Sequence, residues 1–175
     1  MRKTNGFTVI ELLVTLALIA ILVGMGIGIG RQTIDRANFT SILNQFVADL
    51  SYARQLASRD NRYVAFHFND EGTGYTMLVQ TGIGLDLSDT SNYTEEKTVD
   101  PLNGEQFLGG TTGGACDFAI NSMGIIRKYP VDIDASPITV SLEFFKKDQK
   151  TGVCIYKKIL TIFPSGGYKI ENKND

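Results

Sequence analysis

Hydrophobic residues are distributed unevenly along this chain. Residues 7–29 are almost all apolar, interrupted by Thr8, Glu11, Thr15 and a set of glycines. A run of about 23 residues is long enough to cross a bilayer as a helix. Residues 31–59 switch to a periodic pattern, in which Phe39, Ile42, Leu43, Phe46, Val47, Leu50, Ala53 and Ala57 recur at i, i+3, i+4 spacing. Asn44, Asp49, Arg54 and Arg59 lie between them. This spacing predicts an amphipathic helix whose apolar stripe needs a cover. No proline interrupts residues 7–60, so the two stretches read as one helix, roughly 80 Å long at 1.5 Å per residue.

From residue 62 the period shortens to two. Arg62-Tyr63-Val64-Ala65-Phe66-His67-Phe68 alternates, with Val64, Phe66 and Phe68 on one face and His67 on the other. Asp70-Glu71-Gly72-Thr73-Gly74 is a turn signal, and Tyr75-Thr76-Met77-Leu78-Val79-Gln80 reads as the returning strand. Further strands are expected at 106–108, 117–120, 125–127, 138–145 and 153–163. Ser165-Gly166-Gly167 is a turn before a short last strand at 168–170. A helix followed by many strands indicates an α+β fold with a largely antiparallel sheet.

Composition changes this picture little. The 175 residues carry 43% hydrophobic and 21% charged residues, with a formal net charge of -2. That is ordinary for a folded domain and gives no global attraction to nucleic acid or acidic lipid. The N-terminus changes it more. Met1-Arg2-Lys3-Thr4-Asn5-Gly6 is a short basic start, and the apolar run that follows is too long for a secretory signal. No small-x-small cleavage site follows the run, whereas Gly6-Phe7 precedes it. Cutting there would remove the charged hexapeptide and leave the hydrophobic helix on the mature chain. Glu11 is the odd residue, because an ionised carboxylate in a membrane span is costly and is usually paired. The free α-amino group that cleavage creates on Phe7 of a neighbouring subunit is a suitable partner in a low-dielectric helix bundle.

The run Gly6-Phe7-Thr8-Val9-Ile10-Glu11-Leu12-Leu13-Val14 resembles the prepilin motif of type IV pilins and type II secretion pseudopilins. The resemblance implies a pilin-like fold, with a long N-terminal helix packed on an antiparallel β-sheet domain. It implies cutting at Gly6/Phe7 by a prepilin peptidase, methylation of Phe7, and an assembly role for Glu11. Arg2 and Lys3 match the cytoplasmic basic leader and agree with the positive-inside rule. One departure concerns the proline that many members carry near the end of the apolar helix. Here Gly24, Gly26, Gly28 and Gly30 alternate instead, each costing the helix about 1 kcal/mol relative to alanine. They read equally as a weak point in the helix or as small residues permitting close helix packing.

The run from Leu50 to Arg59 and the hairpin from Tyr63 to Val79 resemble the GspH/FimT group of minor pseudopilins and minor pilins. The Ser122-Met123-Gly124 turn and Phe163-Pro164-Ser165-Gly166-Gly167-Tyr168 are compatible with its later strands. The expected organisation is a cleaved leader at 1–6, a membrane or filament-core helix at 7–30, its amphipathic continuation at 31–60 and a β-rich domain at 61–175. The implied location is a single pass in a bacterial inner membrane with the domain periplasmic or extracellular, then a pilus or pseudopilus. The implied partners are the prepilin peptidase, other pilins or pseudopilins, the inner-membrane assembly platform and, before assembly, lipid.

Other chemistry is sparse. Cys116 and Cys154 can form one disulfide if the domain is exported, closing a loop of roughly 38 residues worth about 3–4 kcal/mol; two separate buried thiols are the alternative. No Cys/His cluster suggests zinc, and no cofactor is expected. His67 is the one histidine and reads as surface. Asp86-Leu87-Ser88-Asp89-Thr90-Ser91-Asn92 is rich in oxygen but lacks an EF-hand pattern, so it reads as a solvated loop. Gly109-Gly110-Thr111-Thr112-Gly113-Gly114 reads as another loop. Lys146, Lys147, Lys150, Lys157 and Lys158 form a basic cluster, read as a hairpin tip. A few FimT-like relatives bind DNA through an arginine-bearing motif near the C-terminus, but here that segment, Gly166-Gly167-Tyr168-Lys169, has no arginine. No nucleophile motif, phosphate loop or zinc-protease signature is present. The expectation is a non-enzymatic minor pseudopilin or minor pilin. A major pilin subunit and a DNA-binding minor pilin of an uptake system are the alternatives.

Overall fold

The structure, a computed structural model, describes residues 8–69, 74–82, 89–99, 106–109, 117–130, 136–147 and 154–172. Helix α1 (Val9–Asp60) is continuous, as the absence of proline predicts. It passes through the glycine-rich segment without a break, and a Cβ added to Gly24 would meet nothing within 4 Å. Its end is a Schellman motif: Asn61 adopts φ 50, and the Arg62 N–H donates to the Ala57 carbonyl at 3.2 Å.

The chain divides into two compact units between Asn38 and Phe39. In the first, the described apolar side chains are exposed, from Val9 at 80% to Val23 at 56%. Among the described residues no helix is long and apolar enough to cross a membrane.

The second unit is built on nine strands. One sheet has the order β3-β2-β1-β5-β6 and the other β4-β7-β8-β9. The strands are β1 (Val64–Phe68), β2 (Tyr75–Gln80), β3 (Tyr93–Val99), β4 (Gln106–Gly109), β5 (Phe118–Ile120), β6 (Ile126–Lys128), β7 (Val140–Lys147), β8 (Cys154–Ile162) and β9 (Tyr168–Asn172). All pairings are antiparallel. Two backbone bonds tie the sheets together at β6: its Ile126 N–H donates to the Pro164 carbonyl at 3.1 Å, and its Ile126 carbonyl accepts from Ile138 at 3.0 Å.

One core lies under α1. Phe39, Leu43, Phe46, Leu50, Ala53, Leu56 and Ala57 are buried against Val64, Phe66, Phe68, Tyr75, Met77, Phe118, Ile120 and Ile126 of the first sheet, and against Val140, Leu142, Phe144, Leu160 and Ile162 of the second. Phe46 is the hub, with ring centroids 5.5 Å from Phe66, 5.1 Å from Tyr75 and 5.5 Å from Phe144. It therefore bridges both sheets. On the outer face of the first sheet, Ala65 and Ala119 are fully buried in a cluster with Tyr93 and Tyr129. The two tyrosine rings meet edge to face at 5.1 Å, and alanines beneath leave room for them.

Two sequence expectations are corrected here. β3 was not expected, because Tyr93-Thr94-Glu95-Glu96-Lys97-Thr98-Val99 is polar and lacks an apolar stripe. It forms at a sheet edge, where Thr94, Glu95, Glu96 and Thr98 stay exposed and backbone pairing with β2 holds it in place. The periodicity places Asp49 among the polar positions of the helix, yet it is buried at 8% exposure. Its carboxylate accepts from the Tyr75 hydroxyl at 2.7 Å and from Lys97 Nζ at 2.7 and 2.8 Å. The missed edge strand supplies that lysine.

Candidate functional site

The residues marked by the sequence as functional lie at the start of α1. Gly6 and Phe7 fall outside the described residues, whereas Glu11 is described. The local sequence Thr8-Val9-Ile10-Glu11 is a capping box, in which an N-cap hydroxyl and an N3 carboxylate satisfy each other's backbone donors. The Glu11 N–H donates to Thr8 Oγ1 at 3.3 Å and to the Thr8 carbonyl at 3.1 Å, and the Thr8 N–H reaches back to Glu11 Oε2 at 3.5 Å. Thr15, the next polar side chain, is satisfied internally, its hydroxyl donating to the carbonyls of Glu11 at 3.0 Å and Leu12 at 2.9 Å.

This arrangement places a carboxylate where the partial positive charge of the helix start favours it. The bonds to Thr8 are at the limit of hydrogen-bond length, and a carboxylate offers about four acceptor positions. Glu11 therefore keeps capacity for a further donor. Around it, Val9, Ile10, Leu12, Leu13 and Val14 are more than half exposed. Chemically this is an anionic acceptor set in an apolar helical surface, suited to a cationic donor carried by another apolar element. Thr8 is a partner of Glu11 that the T-x-x-E spacing signals in the sequence.

The remaining candidates are dispersed. His67 projects outward, half-exposed, and its Nδ1 lies 2.5 Å from Asp117 Oδ2. Asp117 is buried, and its other oxygen accepts the Phe68 N–H at 2.8 Å. This is a strand-to-strand clamp with no nucleophile in contact among the described residues. The phenols of Tyr75 and Tyr93 are pushed well above the ordinary tyrosine range by burial, with the Asp49 carboxylate adding to the effect at Tyr75. Cys154 is a half-buried thiol that donates to the Tyr156 carbonyl at 3.3 Å; Cys116 lies outside the described residues. In the basic cluster, Lys157 is paired with Glu143 at 2.9 Å, and Lys150 lies outside the described residues. Asp89 caps a 3-10 turn at Thr90–Asn92, which accounts for part of the oxygen-rich stretch; residues 86–88 and 110–114 lie outside. Among the described residues no group of three metal-ligating side chains occurs.

A family model described as the prokaryotic N-terminal methylation motif matches residues 1–27. The crystal structure of the type IV minor pilin FimU from Pseudomonas aeruginosa strain PAO1 resembles this one with a TM-score of 0.52 and 16% sequence identity. The match covers 78% of this chain and 90% of that one. No curated protein sequence matches the chain. At that identity the structural likeness shows the fold, and the motif match covers the N-terminus. The fold is thus pilin-like, and the N-terminus carries the methylation motif.

Proposed function

We propose that this chain is a minor pilin or minor pseudopilin that enters a filament of related subunits through its N-terminal helix. The carrying observation is the conjunction at one end of the chain. A methylation motif spans residues 1–27, and within it the described apolar side chains of the helix from Val9 to Val23 are exposed. Such a surface is stable only in lipid or among similar helices.

The reading runs as follows. The leader, residues 1–6, stays on the cytoplasmic side, and a prepilin peptidase cuts between Gly6 and Phe7. Phe7 is then methylated. The chain waits in the inner membrane with residues 61–175 on the far side, where Cys154 can pair with Cys116. An assembly platform extracts it into a pilus or type II secretion pseudopilus, exchanging lipid for helix–helix contacts. Glu11 accepts from the Phe7 amine of a neighbouring subunit, which sets the axial register. A nucleic-acid-binding role is not favoured: net charge is -2, and Lys157 is already paired with Glu143.

Intact-mass analysis of the chain isolated from membranes tests the processing. The expected species begins at Phe7 and carries one added methyl group; a chain beginning at Met1 in assembled filaments would refute it. Glu11→Ala should leave membrane insertion intact and reduce incorporation into filaments about tenfold or more, the loss expected when one partner of a desolvated charge pair is removed. Incorporation at the parental level would sink the register role.

A further inference from the structure

The core-facing positions of the second sheet change character at one end. On β7 they read Val140, Leu142 and Phe144, all buried, and then Lys146. On β8, in the reverse direction, they read Ile162 and Leu160, both fully buried, and then Lys158 and Tyr156. The register sets Lys158 opposite Phe144 and Lys146 opposite Tyr156. Both lysines therefore continue the apolar stripe, and both are half-buried. A lysine at such a position lays its stem along the apolar layer and carries its ammonium past the end of that layer to water.

The end concerned is the one at which α1 enters. Phe39, the first residue of the β-rich unit, stacks on Tyr156 at 5.8 Å. Phe46, two turns further along the helix, meets Phe144 at 5.5 Å. β7 therefore runs toward the N-terminal side of α1, and β8 runs back. From Lys146 to Lys158 the sequence holds five lysines and one aspartate, in a chain of formal net charge -2. Lys157 is engaged with Glu143 on the outer face, whereas Lys146 and Lys158 lie on the helix side. Phe39 follows the apolar run by ten residues, about 15 Å of helix. Headgroups take up about 5–7 Å outside the hydrocarbon. What remains is roughly one Debye length, about 8 Å at physiological salt, and a lysine side chain spans most of it.

We propose that this basic end of the β7–β8 pair docks on the anionic phosphate headgroups of the membrane that holds the apolar helix, and so orients the β-rich unit before assembly. The proposal rests on the reading of the chain as a membrane-inserted filament subunit, and it adds a second, electrostatic contact to the same bilayer. The chemistry of the patch selects lipid over a neighbouring subunit. Lysine binds phosphate as a hydrated point charge, and it is depleted from the cores of protein interfaces. Its place selects lipid over nucleic acid, because the lysines gather at the end where the helix joins the bilayer. Each lysine within reach of an anionic surface shifts the docked ratio about fivefold.

The chain contains no tryptophan, so one can be introduced as a reporter. Full-length Tyr156→Trp keeps an aromatic ring against Phe39. It is reconstituted into vesicles of phosphatidylcholine, alone or with about 30 mol% phosphatidylglycerol, each holding the same fraction of a headgroup nitroxide lipid. Tyr168→Trp is the reference, since Tyr168 pairs with Ile162, which lies six residues from Tyr156 along β8, about 20 Å away. The expected result is that nitroxide quenching of the Tyr156→Trp reporter rises about twofold or more with anionic lipid and falls back in high salt. The rise should be lost when Lys146→Gln and Lys158→Gln are added, with the emission maximum of Tyr168→Trp unmoved by them. High salt makes the same test without altering the chain. Equal quenching in the two lipids, a rise that survives salt and both lysine substitutions, or an equal rise at the Tyr168→Trp reporter would overturn the headgroup contact and leave the filament reading standing. A chain that alkaline carbonate strips from both kinds of vesicle would overturn both readings.

Discussion

The Asp49–Lys97–Tyr75 network lends itself to a quantitative test, because it joins the helix to the sheet through charge rather than apolar packing. Lys97→Met removes the ammonium and keeps most of the stem. It leaves the Asp49 carboxylate, 8% exposed, with the Tyr75 hydroxyl at 2.7 Å as its remaining donor. Removing one partner of a fully buried pair costs about 3–5 kcal/mol. Here the lysine side chain keeps 38% of its exposure, so solvent screening reduces the expected loss to about 2 kcal/mol. Asp49→Asn keeps an acceptor for Tyr75 and loses the ionic attraction, at about 1–2 kcal/mol. The double variant leaves no unpaired charge and should lose less than the sum, by about 1 kcal/mol or more. Urea unfolding of the full chain in detergent, followed by near-ultraviolet circular dichroism, measures each leg. A coupling below about 0.5 kcal/mol lies within ordinary additivity. It would refute the claim that the carboxylate and ammonium are held together in the folded protein.

Three further outcomes follow from the same geometry. Tyr75 and Tyr93 are held above the ordinary tyrosine value of 10.0 by burial. A raised group stabilises the fold fully below its unfolded value, and that contribution is lost as pH climbs past it; stability should therefore fall above about pH 10, with tyrosinate absorbance from these residues emerging only as the domain unfolds. Tyr75→Phe should flatten the fall, and titration of both residues in the intact fold would contradict this account. Gly166→Ala should cost about 2–3 kcal/mol, since it combines a left-handed backbone with a clash against the Gly124 carbonyl. Gly124→Ala, at φ 77 in open space, should cost about 1 kcal/mol, so equal melting-temperature losses would show that the predicted clash is relieved at no cost. Phe46→Ala empties the hub of the core and should cost about 3–5 kcal/mol, whereas Phe163→Ala, 41% exposed, should cost under about 1 kcal/mol; similar losses would rule out Phe46 as the bridge between the sheets.

Much of the fold was legible because its signals are local. The helix followed from an uninterrupted apolar run that passes into a 3-4 periodicity, and its stripe from Phe39 to Ala57 is the face that is buried. The hairpin of β1 and β2 followed from alternation on both sides of a glycine-containing turn. β3 did not, because an edge strand is held by backbone pairing and its side chains need not show a face. The partner of Glu11 within its own chain, Thr8, was readable as a spacing. The burial of Asp49 was not, because a carboxylate in a helix looks the same whether it faces water or a lysine 48 residues away.

The amino-acid sequence by itself determined the character of the N-terminus: a basic hexapeptide, Gly6-Phe7, an apolar helix and Glu11 within it. Each depends on composition and short spacings, which the chain carries before it folds. The tertiary structure decided how the β-rich unit is held and what it leaves uncovered. Phe46 bridges two sheets, Asp49 finds Lys97, and Arg54 ends beneath two turns with no acceptor. These are meetings between residues far apart in the chain. They depend on strand order and register, which a linear pattern of polar and apolar positions does not encode.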